Sequence, residues 1–282
     1  MKTGMVLEGG AMRGMYTAGV LDVMMKNNIE VDGVVGVSAG ATFGINYKSR
    51  QIGRTLRYNL KYSRDPRYVS LKSLITTGDL YGADFCYVEL PTNLDPFDQK
   101  AYMENPVKFY VVATDVHTGQ PVYHLCDKGD EEDTQWIRAS ASMPLVSRIV
   151  SVGGYDLLDG GMSDAIPISW FRSIGYERNI VILTRPEGYR KKKNSLLPVV
   201  KLLTRKYPKI AEVMENRHKV YNDTIDELHR LEKEGNTLVL APSVDLGIKR
   251  VETNPAELQR VYDIGIKDAN ANIQRMKEFL AK

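Results

Sequence analysis

Short apolar runs rich in β-branched residues alternate along the chain with longer segments whose apolar positions recur at helical spacing. The short runs predict strands over residues 5–8, 34–37, 109–113, 121–125, 155–158, 180–184 and 237–240. The longer segments predict helices over residues 12–27, 39–50, 130–139, 168–174, 210–234 and 254–280. This alternation is typical of an α/β protein in which helices cover a mainly parallel sheet.

Two stretches interrupt the alternation, residues 51–105 and 189–209. The first, which we call the insertion, is basic and aromatic near its start, with Arg54, Arg57, Tyr58, Lys61, Tyr62, Arg64, Arg67 and Tyr68. Because it lies between two sheet strands, it is placed where a lid or one wall of a substrate opening would be, and this interpretation stays open. A solvated helical excursion is the alternative.

The composition excludes several classes of protein. A chain of 282 residues with 43% hydrophobic and 26% charged residues is typical of one large globular domain. The net charge of +3 is too small to indicate a nucleic-acid partner. Cys86 and Cys126 lack metal-ligand spacing, so we expect free thiols and a reducing compartment. With neither a signal-peptide core nor a run of about 18 apolar residues, we expect a cytoplasmic protein that at most lies on the inner face of a membrane.

Gly36, Ser38 and Gly40 form a G-x-S-x-G motif between an apolar strand and a helix. This context holds a serine on a tight strand-to-helix turn with its hydroxyl above the sheet, and the glycines let neighbouring elements approach closely. Ser38 is therefore a candidate nucleophile. An incidental serine in a glycine-rich turn is the alternative.

A glycine-rich loop from Glu8 to Gly14 follows the first predicted strand and opens the first predicted helix. A dinucleotide-binding loop would need a glycine where Ala11 stands and an acidic residue at the end of the second strand, so we disfavour that interpretation. A purely structural turn and an oxyanion hole both stay open.

Topology favours the oxyanion hole. The strand, glycine loop, helix, second strand and serine turn form one right-handed βαβ unit, which places both loops at the carboxyl ends of neighbouring parallel strands. The N–H groups of Gly10, Ala11 and Ala39 would then point at the oxygen that becomes negative during acyl transfer. Arg13 either anchors this loop, helps to hold an anionic intermediate, or faces solvent.

A serine nucleophile needs a base, and none of the four histidines, His117, His124, His218 and His229, has a convincing setting. Asp159 is the better candidate, because it ends an apolar strand and Gly160 and Gly161 allow a sharp turn after it. An Asp-Gly pair also marks plain turns. A carboxylate with an ordinary pKa of about 3.9 is a weak base toward a hydroxyl, so the site must bury Asp159 enough to raise its pKa.

Taken together, these motifs resemble those of the patatin-like phospholipase family over residues 4–185. The shared features are Gly9-Gly10-x-x-Arg13-Gly14, Gly36-x-Ser38-x-Gly40 and Asp159-Gly160-Gly161. The segment Ala139-Ser140-Ala141-Ser142-Met143-Pro144 is similar to the block that precedes the aspartate of the family.

The resemblance implies a three-layer α/β/α fold with a mainly parallel central sheet, and hydrolysis of lipid acyl esters without metal or cofactor. It assigns the nucleophile to Ser38, the base to Asp159, and the oxyanion loop to Gly9, Gly10, Arg13 and Gly14. One position departs from the pattern: the glycine triplet of the family reads Gly-Gly-Ala here. Ala11 keeps its N–H but disfavours a positive φ, which would lower activity if the loop needs that conformation.

We accordingly expect a catalytic domain over residues 1–190, with the insertion at 51–105, and a C-terminal helical extension over 191–282 that packs on the same domain. Two other functions stay open. One is an α/β-hydrolase with a Ser-His-Asp triad, although its serine usually follows more strands than Ser38 does. The other is a non-catalytic descendant of the fold that binds a lipid or a partner.

A basic run, Arg190, Lys191, Lys192 and Lys193, precedes an apolar stripe at helical spacing over residues 196–203. A basic cluster beside an apolar helix face can attract an anionic lipid surface and bury that face in it, so peripheral membrane contact is one interpretation of this segment. Packing of the stripe on the protein's own core is the alternative.

Overall fold

The computed structural model describes residues 1–281. Eight strands form one sheet: β1 Thr3–Leu7, β2 Gly33–Val37, β3 Lys108–Asp115, β4 Pro121–Leu125, β5 Val150–Val152, β6 Tyr155–Asp159, β7 Arg178–Ile182 and β8 Thr237–Leu240. The α-helices are α1 Gly14–Lys26, α2 Ala39–Lys48, α3 Arg54–Tyr62, α4 Leu71–Thr77, α5 Gln99–Glu104, α6 Glu131–Ser140, α7 Ile168–Ser173, α8 Leu197–Leu203, α9 Pro208–Lys233 and α10 Pro255–Ala281. Helical segments of other types span Ala11–Arg13, Phe85–Leu94 and Gly160–Met162.

The strand order is β5-β6-β3-β2-β1-β7-β8, with β4 paired to β3 as well. The neighbours from β3 through β2, β1 and β7 to β8 run parallel. Strands β4, β5 and β6 add antiparallel pairs at the other end. The central strands β1 and β2 are apolar and buried along nearly their whole length, as strands covered on both faces must be.

One detail of the strand register positions the site. Ala113 and Thr114 of β3 pair with both β4 and β6, so these two strands lie on opposite edges of β3. Since β4 also runs beside the part of β3 that pairs with β2, β6 must share the edge of β2. Val37 pairs with Val112 and the next β3 residue pairs with Asp159, so β6 reaches its carboxyl end where β2 ends.

Helices cover both faces of the sheet and give three layers. One face packs against α1, α2, α6, α10 and the insertion around residues such as Leu7 and Phe109. The other face packs against α7 and α9 around Val35 and Val181. The expected three-layer α/β/α fold with a mainly parallel sheet is therefore confirmed.

The insertion is helical and its aromatic side chains are buried. Tyr62 and Tyr68 pack edge-to-face against Phe85, inside the same core as the first face of the sheet. Arg54 is also buried, and it donates to the backbone oxygen of Asp95. The aromatic side chains of this segment thus reflect packing, whereas Arg57, Lys61, Arg64 and Arg67 are exposed.

The C-terminal extension contacts both faces of the sheet. Helix α10 lies along α1, where the Tyr262 hydroxyl donates to Asp22 at 2.6 Å. Helix α9 packs on the opposite face through Tyr221 and Ile225. No helix within residues 1–281 is long and apolar enough to cross a bilayer.

Each predicted strand overlaps an observed strand, and each predicted helix overlaps an observed one. Strand β5 and helices α3, α4 and α5 were not among the predicted elements, whereas α8 coincides with the apolar stripe at helical spacing over residues 196–203. The missed elements are short, between three and nine residues, and too few apolar positions fall within them to establish a period.

Candidate active site

Ser38 occupies a sharp turn between β2 and α2. Its backbone has φ 55° and ψ −118°, a conformation that costs a non-glycine residue free energy and is held only by its surroundings. A Cβ at Gly36 would lie 2.5 Å from the Gly40 oxygen, and one at Gly40 would lie 2.4 Å from the Leu7 oxygen. Because no side chain fits at either position, the two glycines permit the packing that presents Ser38.

The Ser38 hydroxyl donates a hydrogen bond to Asp159 Oδ2 at 2.7 Å. Asp159 is the last residue of β6, which reaches this point through the register with β3. A Cβ at Gly160 would lie 2.1 Å from the Val112 oxygen, so only glycine allows the turn that follows. The sequence-predicted nucleophile and base therefore lie in direct contact.

The surroundings of Asp159 favour proton acceptance. Asp159 is only 6% exposed, and its other oxygen, Oδ1, accepts from the Gly161 N–H at 2.7 Å. Burial raises the pKa of Asp159 above its ordinary value, although the Ser38 hydrogen bond and the charge of Arg217 act in the opposite direction. The result is a carboxylate more basic than an exposed aspartate, in contact with a hydroxyl.

The glycine loop lies against the serine turn. A Cβ at Gly9 would lie 3.0 Å from Ser38 Cβ, and one at Gly14 would lie 2.8 Å from Ala39 Cβ. Gly10 packs against the side chain of Thr184 at the end of the neighbouring strand. The structure thus brings both predicted loops together.

Ala11 adopts φ 49° although it has a side chain. Alanine disfavours a positive φ, yet the loop takes that conformation, at a cost in free energy. Within residues 1–281, the N–H groups of Gly10, Ala11 and Ala39 find no protein acceptor. They are therefore available to an oxygen placed near Ser38.

Arg13 is half-buried at the start of α1 and does not face solvent freely. Its Nε is buried without a hydrogen-bond partner. Burial, followed by repulsion from Arg185, lowers the pKa of Arg13 to about 10.

Comparison with known proteins agrees with this geometry. Residues 5–171, more than half of the chain, match the profile of the family described as Patatin-like phospholipase. The chain belongs to the patatin-like phospholipase family. Residues 207–281 also match a family described as Domain of unknown function (DUF6363). Family membership supports a lipid-hydrolase function in general.

Several curated proteins are similar to this chain. The Uncharacterized protein YjjU of Escherichia coli K12 is 31% identical over 188 residues, which are 64% of this chain and 52% of that protein. Lysophospholipase nte1 of Aspergillus oryzae is 23% identical over 86% of this chain and 16% of that protein. The patatin-like phospholipase domain-containing protein ZK370.4 of Caenorhabditis elegans is 24% identical over 61% and 13%. The chain spans about half or less of the length of these relatives.

Sequence reasoning missed several contacts of this patatin-like site. The Ser38 N–H donates to the Ser140 hydroxyl at 2.9 Å, and the Thr114 hydroxyl donates to the Asp159 backbone oxygen at 2.8 Å. The block over residues 139–144 had drawn attention to Ser140, but only the fold shows which atom it contacts.

A second missed feature is a set of hydrogen bonds to Glu8 at the start of the glycine loop. Glu8 is buried and accepts from the Tyr221 hydroxyl at 2.9 Å and from the Thr184 N–H at 2.6 Å. Tyr221 belongs to α9, so the C-terminal extension is hydrogen-bonded to Glu8, the first residue of the glycine loop. No local sequence signal pairs residues this far apart.

None of the four histidines reaches Ser38 in the described part of the chain. His117 contacts Asp156 at 2.8 Å on an exposed edge, and His124 stacks on Trp136. His218 contacts a backbone oxygen of its own helix. This arrangement offers no histidine base for the Ser38 hydroxyl.

A cavity of about 170 Å³ has Ser38 in its wall. The insertion supplies much of the lining, and α2, α6 and the segment that follows α6 supply most of the rest. The insertion residues include Tyr58, Tyr68, Tyr81, Cys86, Tyr87 and Leu90. The lining is mainly apolar and aromatic, which suits a hydrocarbon chain.

His124, Cys126 and Asp133 bring one potential metal-ligand atom each within 4.8 Å of one another. Burial raises the pKa of the Cys126 thiol well above its ordinary value, which disfavours the thiolate that a metal needs. Asp133 already accepts from the N–H groups of Lys128 and Gly129. The cluster is thus explained by loop packing, and both cysteines are free.

The four basic residues of the run that precedes α8 have different surroundings in the structure. Arg190 pairs with Asp226, and Lys193 pairs with Glu215. Lys192 is exposed, whereas Lys191 turns inward and lies over the Tyr221 ring at 4.2 Å. Lys191 is therefore part of the surroundings of the glycine loop.

Proposed function

We propose that this chain is a serine lipid acyl hydrolase that uses a Ser38–Asp159 dyad and cleaves acyl esters of phospholipids or lysophospholipids. The observation that carries the proposal is the 2.7 Å hydrogen bond from the strained Ser38 to the buried Asp159, beside an apolar cavity. Membership of the family supports the general class of reaction.

In the proposed reaction, Ser38 Oγ attacks the ester carbonyl carbon as its proton passes to Asp159. The N–H groups of Gly10, Ala11 and Ala39 stabilise the resulting oxyanion. The tetrahedral intermediate expels the alcohol, which takes the proton from Asp159 and leaves an acyl-serine. Water then gives a proton to Asp159 and attacks the acyl-serine, which releases the fatty acid and returns the proton to Ser38.

The cavity under the insertion is the proposed site for the acyl chain. Its wall includes Ser38 and Ala39 together with the aromatic residues of the insertion. Each buried methylene group contributes about 0.8 kcal/mol, so a cavity of this lining favours a chain over a short acyl group. We propose that the insertion acts as a lid or wall for that chain.

Hydrolysis of a chromogenic short-chain ester tests the proposal. Ser38→Ala should fold normally and lower kcat by about three orders of magnitude or more, because it removes the nucleophile. Single His→Ala changes at His117, His124, His218 and His229 serve as controls and should each cost less than about tenfold. Activity of Ser38→Ala near that of the wild type would overturn the dyad.

The same assay separates the alternative functions. Wild-type protein that binds lipid vesicles but hydrolyses no ester would favour the non-catalytic binding protein. Collapse of activity in one histidine variant would favour a triad. Products analysed in the presence of an added alcohol would distinguish acyl transfer from hydrolysis.

We further propose that α8 makes peripheral contact with an anionic membrane. Leu197 and Val200 pack into the core, but Leu202 and Leu203 are 55% and 64% exposed. Arg205 is exposed close to these leucines, as is Lys192 on the segment that leads into α8. An exposed apolar face beside positive charges is suited to an anionic lipid surface.

Sedimentation with anionic vesicles tests this contact. Wild-type protein should sediment at low salt and be released at high salt, because surface charges are screened. Lys192→Glu/Arg205→Glu and Leu202→Ser/Leu203→Ser should each lose most of the binding.

Two matched controls carry equal changes elsewhere, Lys233→Glu/Lys277→Glu and Val244→Ser/Ile174→Ser, at exposed positions. Controls that lose binding to the same extent would show that general charge or surface polarity, and not α8, determines the result.

A further inference from the structure

Five basic side chains gather around the glycine loop and Asp159, and none of them lines the acyl cavity. We call them the cationic cluster: Arg13, Arg185, Lys191, Arg217 and Arg250. Arg185 and Lys191 follow β7, Arg217 lies on α9, and Arg250 precedes α10.

Two members contact the backbone of the site directly. Arg217 Nε donates to the Gly161 oxygen at 2.5 Å, immediately after the turn that carries Asp159. The backbone oxygen of Arg250 accepts from the Met12 N–H at 3.3 Å, next to Ala11. The Arg217 guanidinium is therefore hydrogen-bonded to the turn that follows Asp159. The backbone of Arg250 is hydrogen-bonded to the glycine loop.

Two further members are placed by aromatic rings. Lys191 Nζ lies 4.2 Å from the centre of the Tyr221 ring, whose hydroxyl donates to Glu8 at the start of the loop. The Arg185 guanidinium lies 4.6 Å from the centre of the Tyr189 ring. Aromatic faces hold cations in place without neutralising them.

The cluster lacks counter-charges. In residues 1–281 none of its members forms an ion pair with a carboxylate, whereas the adjacent Arg190 pairs with Asp226. Apart from the Arg217 Nε bond, their side chains donate to no protein acceptor, and Arg13 Nε is buried without a partner. The five basic side chains outnumber the two nearby carboxylates, Glu8 and Asp159, which already accept hydrogen bonds from neutral groups.

This crowding of cations is unfavourable in the free protein. Burial, followed by repulsion from Arg217, lowers the pKa of Lys191 to about 7. Arg13, Arg185, Lys191 and Arg217 are partly buried, whereas Arg250 is exposed at the edge of the cluster. Partly buried cations without partners cost free energy unless a ligand supplies the missing charge. A phosphate group, with its several acceptor oxygens, is the anion that basic side chains in this number recognise best.

We propose that the cationic cluster is a phosphate-binding subsite beside the Ser38–Asp159 pair, and that the headgroup phosphate of the lipid occupies it. The assignment of the phosphate to a substrate rests on the proposed hydrolase function. The acyl chain would lie under the insertion, on one side of the ester, and the phosphate would lie between α9 and the glycine loop, on the other.

Binding is tested without any reaction. Titration calorimetry of glycerol 3-phosphate into wild-type protein should show binding, and glycerol at equal concentration should show none. Lys191→Met/Arg250→Gln should weaken glycerol 3-phosphate binding by about tenfold or more, the size expected for lost charge-assisted hydrogen bonds. The matched control Lys233→Met/Lys249→Gln removes the same charge at exposed positions and should keep wild-type affinity.

Thermal unfolding gives a second readout that a purely structural role would not move. Phosphate should raise the Tm of the wild type, and Lys191→Met/Arg250→Gln should lose that increase while unfolding at the wild-type Tm or above it without phosphate. Absence of binding, or equal binding by both double variants, would overturn the subsite even if Ser38-dependent ester hydrolysis is intact.

A kinetic arm identifies the source of the phosphate. The ratio of kcat/KM for a lysophosphatidic acid to that for the monoacylglycerol with the same acyl chain should fall about tenfold in Lys191→Met/Arg250→Gln. Inorganic phosphate binding with an unchanged ratio would overturn the headgroup assignment and identify a free phosphate ion as the ligand. Phosphate binding in a protein that hydrolyses no ester would leave the subsite standing while the proposed hydrolase function fails.

Discussion

Two regions of opposite character meet at Ser38. The insertion side presents an apolar and aromatic cavity, and the α9 side presents the cationic cluster with few counter-charges. Ser38 and Asp159 themselves are held by β2, β6 and the glycine loop, and the same loop supplies Ala11 to the cavity and Arg13 to the cluster. The difference indicates a division of labour: the sheet would supply the chemistry, and the inserted and appended segments would sort the two ends of an amphipathic substrate.

Substitution of Asp159 should have the largest effect on kcat, and this effect should be the same whether or not the substrate carries a phosphate. Asp159→Asn should lower kcat by about 10²–10⁴-fold for neutral and phosphate-bearing substrates alike, because it removes the shared general base. The activity of the wild type should rise with pH through the pKa of Asp159, which burial places above its ordinary value. Steady-state kinetics across pH with both substrates measures this.

The same substitution should not destabilise the fold. A carboxyl whose folded pKa is raised contributes stability below its unfolded pKa and loses it as pH rises through the folded pKa. Above that folded pKa the ionised Asp159 therefore destabilises the fold, and Asp159→Asn should keep or raise Tm there. Asp164 is a matched control, since burial also raises its pKa but its contact is Tyr123. A comparable loss of kcat in Asp164→Asn would show that any buried charge here is essential.

A smaller effect should separate the two regions. Cys86 lines the cavity, so Cys86→Trp should fill it and reduce kcat/KM for long acyl chains by about tenfold, equivalent to two methylene groups that can no longer be buried. The headgroup ratio should stay unchanged. Cys86→Ala is the control for loss of the thiol and should keep the long-chain preference. Equal losses of kcat/KM for short and long acyl chains would show that the cavity does not bind the acyl chain.

The parts of the site also differ in how well the sequence predicts them. Ser38 and the glycine loop could be predicted because both belong to one βαβ unit with local motifs. Their contact with Asp159 depends on β6 pairing antiparallel with β3, which no local pattern determines. Arg217 lies among charged residues of α9, where no local pattern marks it, yet the docking of α9 brings it to Gly161. Long-range packing therefore defines the cationic cluster.

The smallest expected effect concerns Ala11, which lies in the wall of the cavity and is followed by the loop bond to Arg250. Its φ of 49° is strained for alanine. Ala11→Gly should therefore be neutral or stabilising, whereas the matched Ala271→Gly on the exposed face of α10 should destabilise by about 1 kcal/mol. Urea unfolding of the two variants measures the contrast. Because the N–H of residue 11 is kept, kcat should change by less than about threefold, and neither acyl-length nor headgroup preference should move. Equal destabilisation by both substitutions would mean that Ala11 carries no strain. A shift in acyl-length preference alone would assign the loop to the cavity, and a shift in headgroup preference alone would assign it to the cationic cluster.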